Sequence, residues 1–210
     1  MKTIGLVLAT AFLVVVGAAA QGMKLLEFQG GYLSPKGTKA GFIFGGNYGI
    51  SIDERVDLSL GLSYFHRGYS KETTVAVVPT GTGAQIGTKE RLLDYSTTLL
   101  PIAANIAVHI PFQPPWNLYF GGSLAYEFLF DKYTNHQDRI SESSRFSGFG
   151  WMARAGMEWA IGSRSSVELE AFYNSCKATG GKKEVDGIPT WDEVDMSGLG
   201  FRAGVRVELY

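Results

Sequence analysis

The chain has 210 residues and a formal net charge of −1, so one domain with a sizeable interior is possible, and no basic field favours nucleic acid as a partner. Its 27 glycines and its 13% aromatic residues are typical of a protein with many strands and tight turns. A single cysteine, Cys176, excludes an intramolecular disulfide.

The first feature in chain order is a predicted export signal. Lys2 is followed by an apolar run over 4–16 and by three alanines at 18–20. This order of a charged, an apolar and a small-residue region is that of a secretory signal peptide. We therefore expect 1–20 to be cleaved, which leaves 21–210 as one exported domain. The alternative, an N-terminal membrane helix, needs a longer apolar run.

Eight later segments alternate apolar and polar residues, and a period of two places alternate side chains on opposite faces of a strand. In the third segment Leu58 and Leu60 face one way, while Asp57 and Ser59 face the other. Pro101 in the fourth segment cannot donate a ladder hydrogen bond, so we expect an irregularity there. The predicted strands cover about 24–34, 39–52, 56–66, 95–110, 116–130, 149–161, 166–175 and 198–210.

Charge is segregated between the two faces of these strands. Within the segments the Asp, Glu, Lys and Arg residues gather on the faces opposite the apolar ones. A soluble sandwich or lipocalin-type barrel would turn its apolar faces inward, whereas a membrane barrel turns them toward lipid. Periodicity alone does not separate these two architectures.

Three further features favour the membrane barrel. The polar faces carry many small residues, such as Gly45, Gly49 and Ser59, which a narrow barrel interior needs. The mature chain lacks an uncharged apolar stretch long enough for a spanning helix. Short turns after the second, fourth and sixth strands alternate with long connections, as in outer-membrane barrels, although the first outer link, "PKGT", is short. The long connections, where we expect an extracellular ligand to bind, are about 67–94, 131–148 and 176–197.

Aromatic residues lie near the ends of the apolar faces, as expected for the two girdles of a membrane barrel. Trp151 and Trp159 are eight residues apart on one face, which corresponds to roughly 20 Å across the membrane for a tilted strand. The predicted girdle consists of Tyr32, Tyr64, Phe130, Trp151 and Tyr173 at the long-connection end, and of Trp116 and Trp159 at the short-turn end.

This layout resembles the small eight-stranded outer-membrane β-barrel proteins of Gram-negative bacteria, the porin-like outer membrane protein β-barrel domain family. The resemblance covers about 22–210 and rests on "GGYLSP", on "GFIFGGNYGISIDERVDLSLGLSYF" and on a C-terminal strand that ends in Tyr210. It implies an all-β, eight-stranded antiparallel up-and-down transmembrane barrel, surrounded by outer-membrane lipid and inserted by the barrel-assembly machinery. Family members usually place the terminal aromatic on the lipid face, whereas Tyr210 falls on the polar face and Leu209 continues the apolar one.

The inward charges are predicted to form an ionic network in the lumen, because unpaired charges in a narrow interior are costly. Glu168 and Glu170 share a face and could instead be a catalytic carboxylate pair, although structural networks mimic such pairs. The predicted network consists of Glu127, Arg154, Glu158, Glu168, Glu170, Arg202, Arg206 and Glu208.

The other candidate residues lack the spacing or the context that a metal, catalytic or phosphate site requires. His66, His109 and His136 are scattered without metal-ligand spacing, so no metal site is predicted. His66 and Ser70 in "HRGYS" are the candidates for a lipid-modifying enzyme, but their spacing matches no motif for one. The glycines of "GTGAQIG" lack the context of a phosphate-binding loop. No catalytic residue and no cofactor are therefore predicted.

The sequence favours a non-enzymatic outer-membrane protein with a structural, anchoring or surface-interaction role and a plugged polar lumen. A narrow porin-like channel for water or small solutes is the first alternative. A lipid-modifying outer-membrane enzyme is the second, and a soluble lipid-binding barrel is the third.

Overall fold

The computed structural model describes residues 23–53, 55–79, 85–136, 140–185 and 188–209. For the described residues within 72–92 and 182–191, it describes the backbone only. The predicted signal peptide, the "GTGA" part of the glycine-rich stretch and Tyr210 lie outside the described residues. Among the residues described, no helix is long and apolar enough to cross a membrane.

Strands account for nearly all of the described chain, as the alternating sequence pattern predicts. They are β1 (Met23–Pro35), β2 (Gly41–Ser51), β3 (Val56–Pro79), β4 (Gln85–Pro111), β5 (Trp116–Asn135), β6 (Ile140–Ala160), β7 (Ser165–Val185), β8 (Ile188–Asp195) and β9 (Gly198–Leu209).

The strands form one closed antiparallel barrel. Each of β1 to β6 pairs with the next strand along the chain, β7 pairs with β9, and β9 pairs with β1. β8 pairs with the outer part of β7, where Lys177 opposes Asp195, and β9 pairs with the inner part. β8 and β9 therefore share one position in the wall, and the barrel has eight strands, as predicted. Closure pairs both edges of the strand segments that form the barrel wall, which a chain within lipid requires.

The two faces of the wall differ as the period of two predicts. Outward side chains such as Phe28 and Phe44 are exposed by 62% and 57%, whereas the inward Glu27 and Glu168 are exposed by 4% and 3%. A wall with apolar side chains outside and carboxylates inside is the inverse of a soluble barrel. The soluble alternative is therefore wrong.

The prediction that the three long connections are loops is wrong. Most of their residues continue the flanking strands and form β-hairpins. The β3–β4 ladder runs outward to Pro79 opposite Gln85, with register shifts near Lys71 and Thr74. β5 and β6 extend to Asn135 opposite Ile140. Mixed polar composition suggests loops, but a hairpin beyond the membrane needs no apolar face when each strand already supplies hydrogen-bond partners for the next.

The irregularity expected at Pro101 is present on one side. The ladder between β3 and β4 passes from the pair Leu62–Ile102 to the pair Phe65–Leu99 without pairing Pro101. On its other side Pro101 opposes Glu127 in a continuous register. The missing amide hydrogen of proline accounts for the interruption.

Candidate functional site in the barrel interior

The buried charged side chains of the described structure, such as Glu127, Arg154 and Glu168, lie on the inward faces of the strands. An eight-stranded barrel has an interior just wide enough for side chains to occupy. Every charge placed there loses its water, so it needs a partner of opposite charge or several hydrogen bonds.

At the short-turn end, Arg206 contacts three carboxylates. Its guanidinium lies 3.0 Å from Asp57 Oδ2, 3.4 Å from Glu158 Oε1 and 3.4 Å from Glu208 Oε1. His109 lies between two of them, with Nε2 2.7 Å from Asp57 and Nδ1 3.1 Å from Glu158. These five residues, the lower cluster, connect strands β3, β4, β6 and β9 across the interior.

Glu170 on β7 is the centre of a second group. Its Oε1 accepts a hydrogen bond from Arg202 Nε at 2.6 Å, and its Oε2 accepts one from the Tyr119 hydroxyl at 3.0 Å. Arg154 Nη1 approaches the same Oε2 at 3.5 Å. Gly156 makes room for this Glu170 cluster, because a Cβ there would lie 2.6 Å from the ring of Tyr119.

Amide side chains hold the remaining carboxylates on the β1–β3 side. Asn47 donates to Glu27 Oε2 at 2.6 Å, and Asn105 donates to Asn47 Oδ1 at 3.3 Å. Gln29 donates to Glu168 at 3.3 Å. Glu168 is therefore bound by an amide, and the structure brings it together with Gln29 rather than with a catalytic partner.

Glu127 on β5 lies apart from these groups. It is fully buried, and Asn174 donates to its Oε2 at 3.5 Å. Its Oε1 has no hydrogen-bond partner within the described part of the chain. Asn174 also donates to the Met196 carbonyl at 3.2 Å, which connects Glu127 to the link between β8 and β9.

The outer half of the interior contains a layer of apolar side chains, which the expected polar lumen did not include. Phe65 and Leu99 are fully buried there, and Phe172 is 2% exposed. The prediction missed this layer because it treated the inward face as polar throughout. The apolar layer consists of Leu33, Ile43, Phe65, Leu99, Leu129, Met152, Phe172, Cys176, Ala178 and Met196, with Phe146 and Val194 packed against it.

The sequence matches the family model for the outer membrane protein beta-barrel domain over residues 6–208. The chain belongs to this family. A search of curated proteins finds no match.

Two solved structures share the fold of this outer-membrane barrel. Neisserial surface protein A is 14% identical, with a TM-score of 0.55 over 90% of this chain and 97% of that one. A major outer membrane protein from Thermus thermophilus is 10% identical, with a TM-score of 0.55 over 89% of this chain and 99% of that one. Identities this low establish a common fold and leave the role to be argued from the chain itself.

The eight predicted network residues all face the interior of the outer-membrane barrel, but they do not form one network. Arg154, Glu170 and Arg202 belong to the Glu170 cluster, and Glu158, Arg206 and Glu208 belong to the lower cluster. Glu127 and Glu168 are bound by amides instead.

The prediction missed two members of the lower cluster, Asp57 and His109. Both had a usable signal, because each lies on the inward face of its strand. The sequence places Asp57 on the polar face of the third strand, and His109 has the same parity as Asn105 on the fourth. A histidine of inward parity near a short turn is placed to meet the carboxylates of neighbouring strands.

The predicted girdle residues lie on the outer surface of the barrel. Trp116 and Trp159 oppose each other on β5 and β6 and stack with ring centroids 5.3 Å apart. Trp151 packs against Tyr173 at 5.9 Å, and Tyr173 is half-buried as a result. Tyr32, Tyr64 and Phe130 are exposed on the outer side.

The histidines outside the interior do not gather into a site. His66 faces outward, stacks on Tyr64 and has Nδ1 3.1 Å from Thr98 Oγ1. His136 lies 2.8 Å from Asp94. Within the described residues no group of three or more His, Cys, Asp or Glu side chains is arranged to hold a metal ion.

Proposed function

We propose that this outer-membrane barrel is a structural and surface-interaction protein whose lumen is closed by its own side chains. Two barriers in series support the proposal. The lower cluster joins opposite walls through Arg206 and His109, and the apolar layer lies between it and the outer hairpins. An ion that crosses would have to break buried ion pairs and then enter a layer that cannot replace its water.

The proposal assigns the two ends of the molecule different tasks. The girdled band between Trp159 and Trp151 anchors the protein in outer-membrane lipid. The hairpins formed by β3–β4, β5–β6 and β7–β8 extend beyond the band and present the surface on which an extracellular ligand binds. We place the N-terminal 1–20 as a cleaved signal, and we propose that the barrel-assembly machinery inserts the mature chain.

Planar-bilayer recording of the refolded mature chain tests the closed lumen. We expect no steady conductance steps at the potentials that open a known porin recorded in the same bilayers. Steady steps would contradict closure and favour the channel alternative. N-terminal sequencing of protein from purified outer membranes tests the proposed location and signal cleavage. The proposal requires the mature chain to begin at Gln21.

A further inference from the structure

A pocket of about 350 Å³ lies at the outer end of the barrel, above the apolar layer. The β1–β2 connection forms one wall, and inward residues of β3, β4 and β5 form the others. Arg67 follows Phe65 by two residues, and Tyr133 follows Leu129 by four, so pocket and layer occupy the same face of the same strands. The pocket is therefore reached from the hairpin side.

The described side chains that line this pocket include two cations, and the Asp131 carboxylate lies on the same inward face beside Tyr95. Lys39 Nζ lies 3.6 Å above the ring of Tyr69. Arg67 Nε is buried and has no hydrogen-bond partner within the described residues. A buried guanidinium N–H without a partner is costly, so an acceptor group that enters the pocket, from a ligand or from water, would stabilise Arg67.

Three tyrosines, Tyr69, Tyr95 and Tyr133, also line the pocket, together with Gly37, Thr38 and Leu93. Burial raises the pKa of Tyr95, and the adjacent Asp131 carboxylate raises it further, so this phenol stays protonated across the physiological range. A tyrosine presents a flat apolar face for a ring and a hydroxyl for a polar group. The walls thus combine ring-binding surfaces with hydrogen-bonding groups.

We propose that this outer pocket binds an acidic sugar, a single ring that carries a carboxylate. The carboxylate would accept hydrogen bonds from Arg67, whose guanidinium matches the geometry of a carboxylate, and would gain from the charge of Lys39. The sugar ring would lie against the tyrosine faces, with its hydroxyls toward their hydroxyls. The volume is at the lower end of the range for small-molecule sites, which suits one sugar unit.

Two other ligand chemistries fit the pocket less well. A neutral sugar would fill the space but leave the charge of Arg67 and Lys39 uncompensated. An aromatic acid would satisfy Arg67 but would leave the tyrosine hydroxyls facing an apolar ring. The inference rests on the proposed surface-interaction role, because it supplies a ligand for the hairpin end.

The test uses the refolded mature chain in detergent micelles, with binding followed by NMR titration. We expect D-glucuronate to saturate the protein and D-glucose to bind at least about 10-fold more weakly, the effect of losing one hydrogen bond to a charged group. Equal affinity for the two sugars, no saturation by glucuronate, or tighter binding of benzoate than of glucuronate would each overturn the proposal.

Two variants locate the site. Arg67→Gln should weaken glucuronate binding at least about 10-fold. The control Arg145→Gln removes an exposed cation that opposes the lipid-facing Phe130, and it should leave the affinity unchanged. If Arg67→Gln binds as the wild type does, the pocket is not the site. Conductance recorded from the same preparation reports on the closed lumen separately, so the two proposals fail independently.

Discussion

Arg206 on β9 lies 3.0 Å from Asp57 on β3, although β1 and β2 separate these two strands in the barrel wall. The contact therefore crosses the interior and does not follow the sheet. Arg206 also contacts Glu158 on β6, so one guanidinium joins three distant parts of the wall. We therefore expect the barrel to depend on this residue more than on an arginine at its surface.

Replacing Arg206 should destabilise the barrel strongly. Arg206→Gln leaves Asp57 and Glu158 buried without their cation, which costs about 3–5 kcal/mol for a buried pair. Urea unfolding in lipid vesicles, followed by tryptophan fluorescence, measures the change. Arg55→Gln is the control, since Arg55 is exposed in the turn before β3 and its loss should stay within about 0.5 kcal/mol. Equal stabilities for the two variants would refute the structural importance of the lower cluster.

Two glycines of β5 and β6 should respond differently to the same change. A Cβ at Gly156 would lie 2.6 Å from the Tyr119 ring and 2.6 Å from the Leu169 carbonyl, whereas one at Gly122 meets nothing closer than 3.7 Å. We expect Gly156→Ala to cost about 1–3 kcal/mol through crowding and Gly122→Ala to be neutral or slightly stabilising. The same urea titration decides, and a larger loss at Gly122 would contradict the packing described for the Glu170 cluster.

Truncation should distinguish the apolar layer from the lipid-facing surface. Phe65→Ala opens a cavity in a closed layer and should cost about 3–5 kcal/mol. Phe149 is 51% exposed on the outer face, where lipid fills the space that Phe149→Ala leaves, so the loss should be smaller. Unfolding free energies of the two variants in the same vesicles provide the comparison. A greater loss of stability for Phe149→Ala than for Phe65→Ala would mean that the closely packed face of the wall is the outer one, which contradicts the structure.

A turn outside the membrane band should weaken in acid. The Ser197 side chain and amide lower the pKa of Asp195, and the Ser197 amide donates to Asp195 Oδ1 at 2.9 Å. A lowered folded-state pKa means that this contact stabilises the turn above the unfolded pKa of about 3.9 and is lost as the pH falls through the lower folded value. Hydrogen exchange at the Ser197 amide should show that loss. In the Asp195→Asn variant, the protection of the Ser197 amide from exchange should no longer fall in acid. If protection still falls as in the wild type, Asp195 is not the source of the effect.

The sequence predicts the faces of this barrel better than its interior contacts. The period of two is local, so it places Phe44 outside and Glu168 inside without knowledge of any other strand. The contact between Arg206 and Asp57 depends on how the eight strands close into a barrel and on their tilt. Neither can be predicted from the sequence of a single strand. The outer hairpins of β3–β4 and β5–β6 were not predicted for a similar reason. Their strands are held by pairing with the neighbouring strand rather than by an apolar face that the sequence would show.

The outer apolar layer could have been found from the sequence. Phe65 has the same parity as Asp57, and Leu99 has the same parity as Asn105, so both belong to the inward face. Their apolar character at the outer end of that face was the available signal. What the sequence could not supply is that these residues meet across the interior, because that again requires the closed barrel.

The central claim is that the apolar strand faces contact lipid and the opposite faces turn toward the lumen. Two adjacent residues on β5 test it most directly. Ser123 is 6% exposed on the inner face, and Leu124 is 52% exposed on the outer face. In a Cys176→Ser background, Ser123→Cys and Leu124→Cys each receive a small ¹³C-methylthio label, and NOEs to lipid acyl protons are measured in nanodiscs. We predict strong acyl NOEs from position 124 and none from position 123. Acyl NOEs from position 123 with none from position 124 would contradict the account.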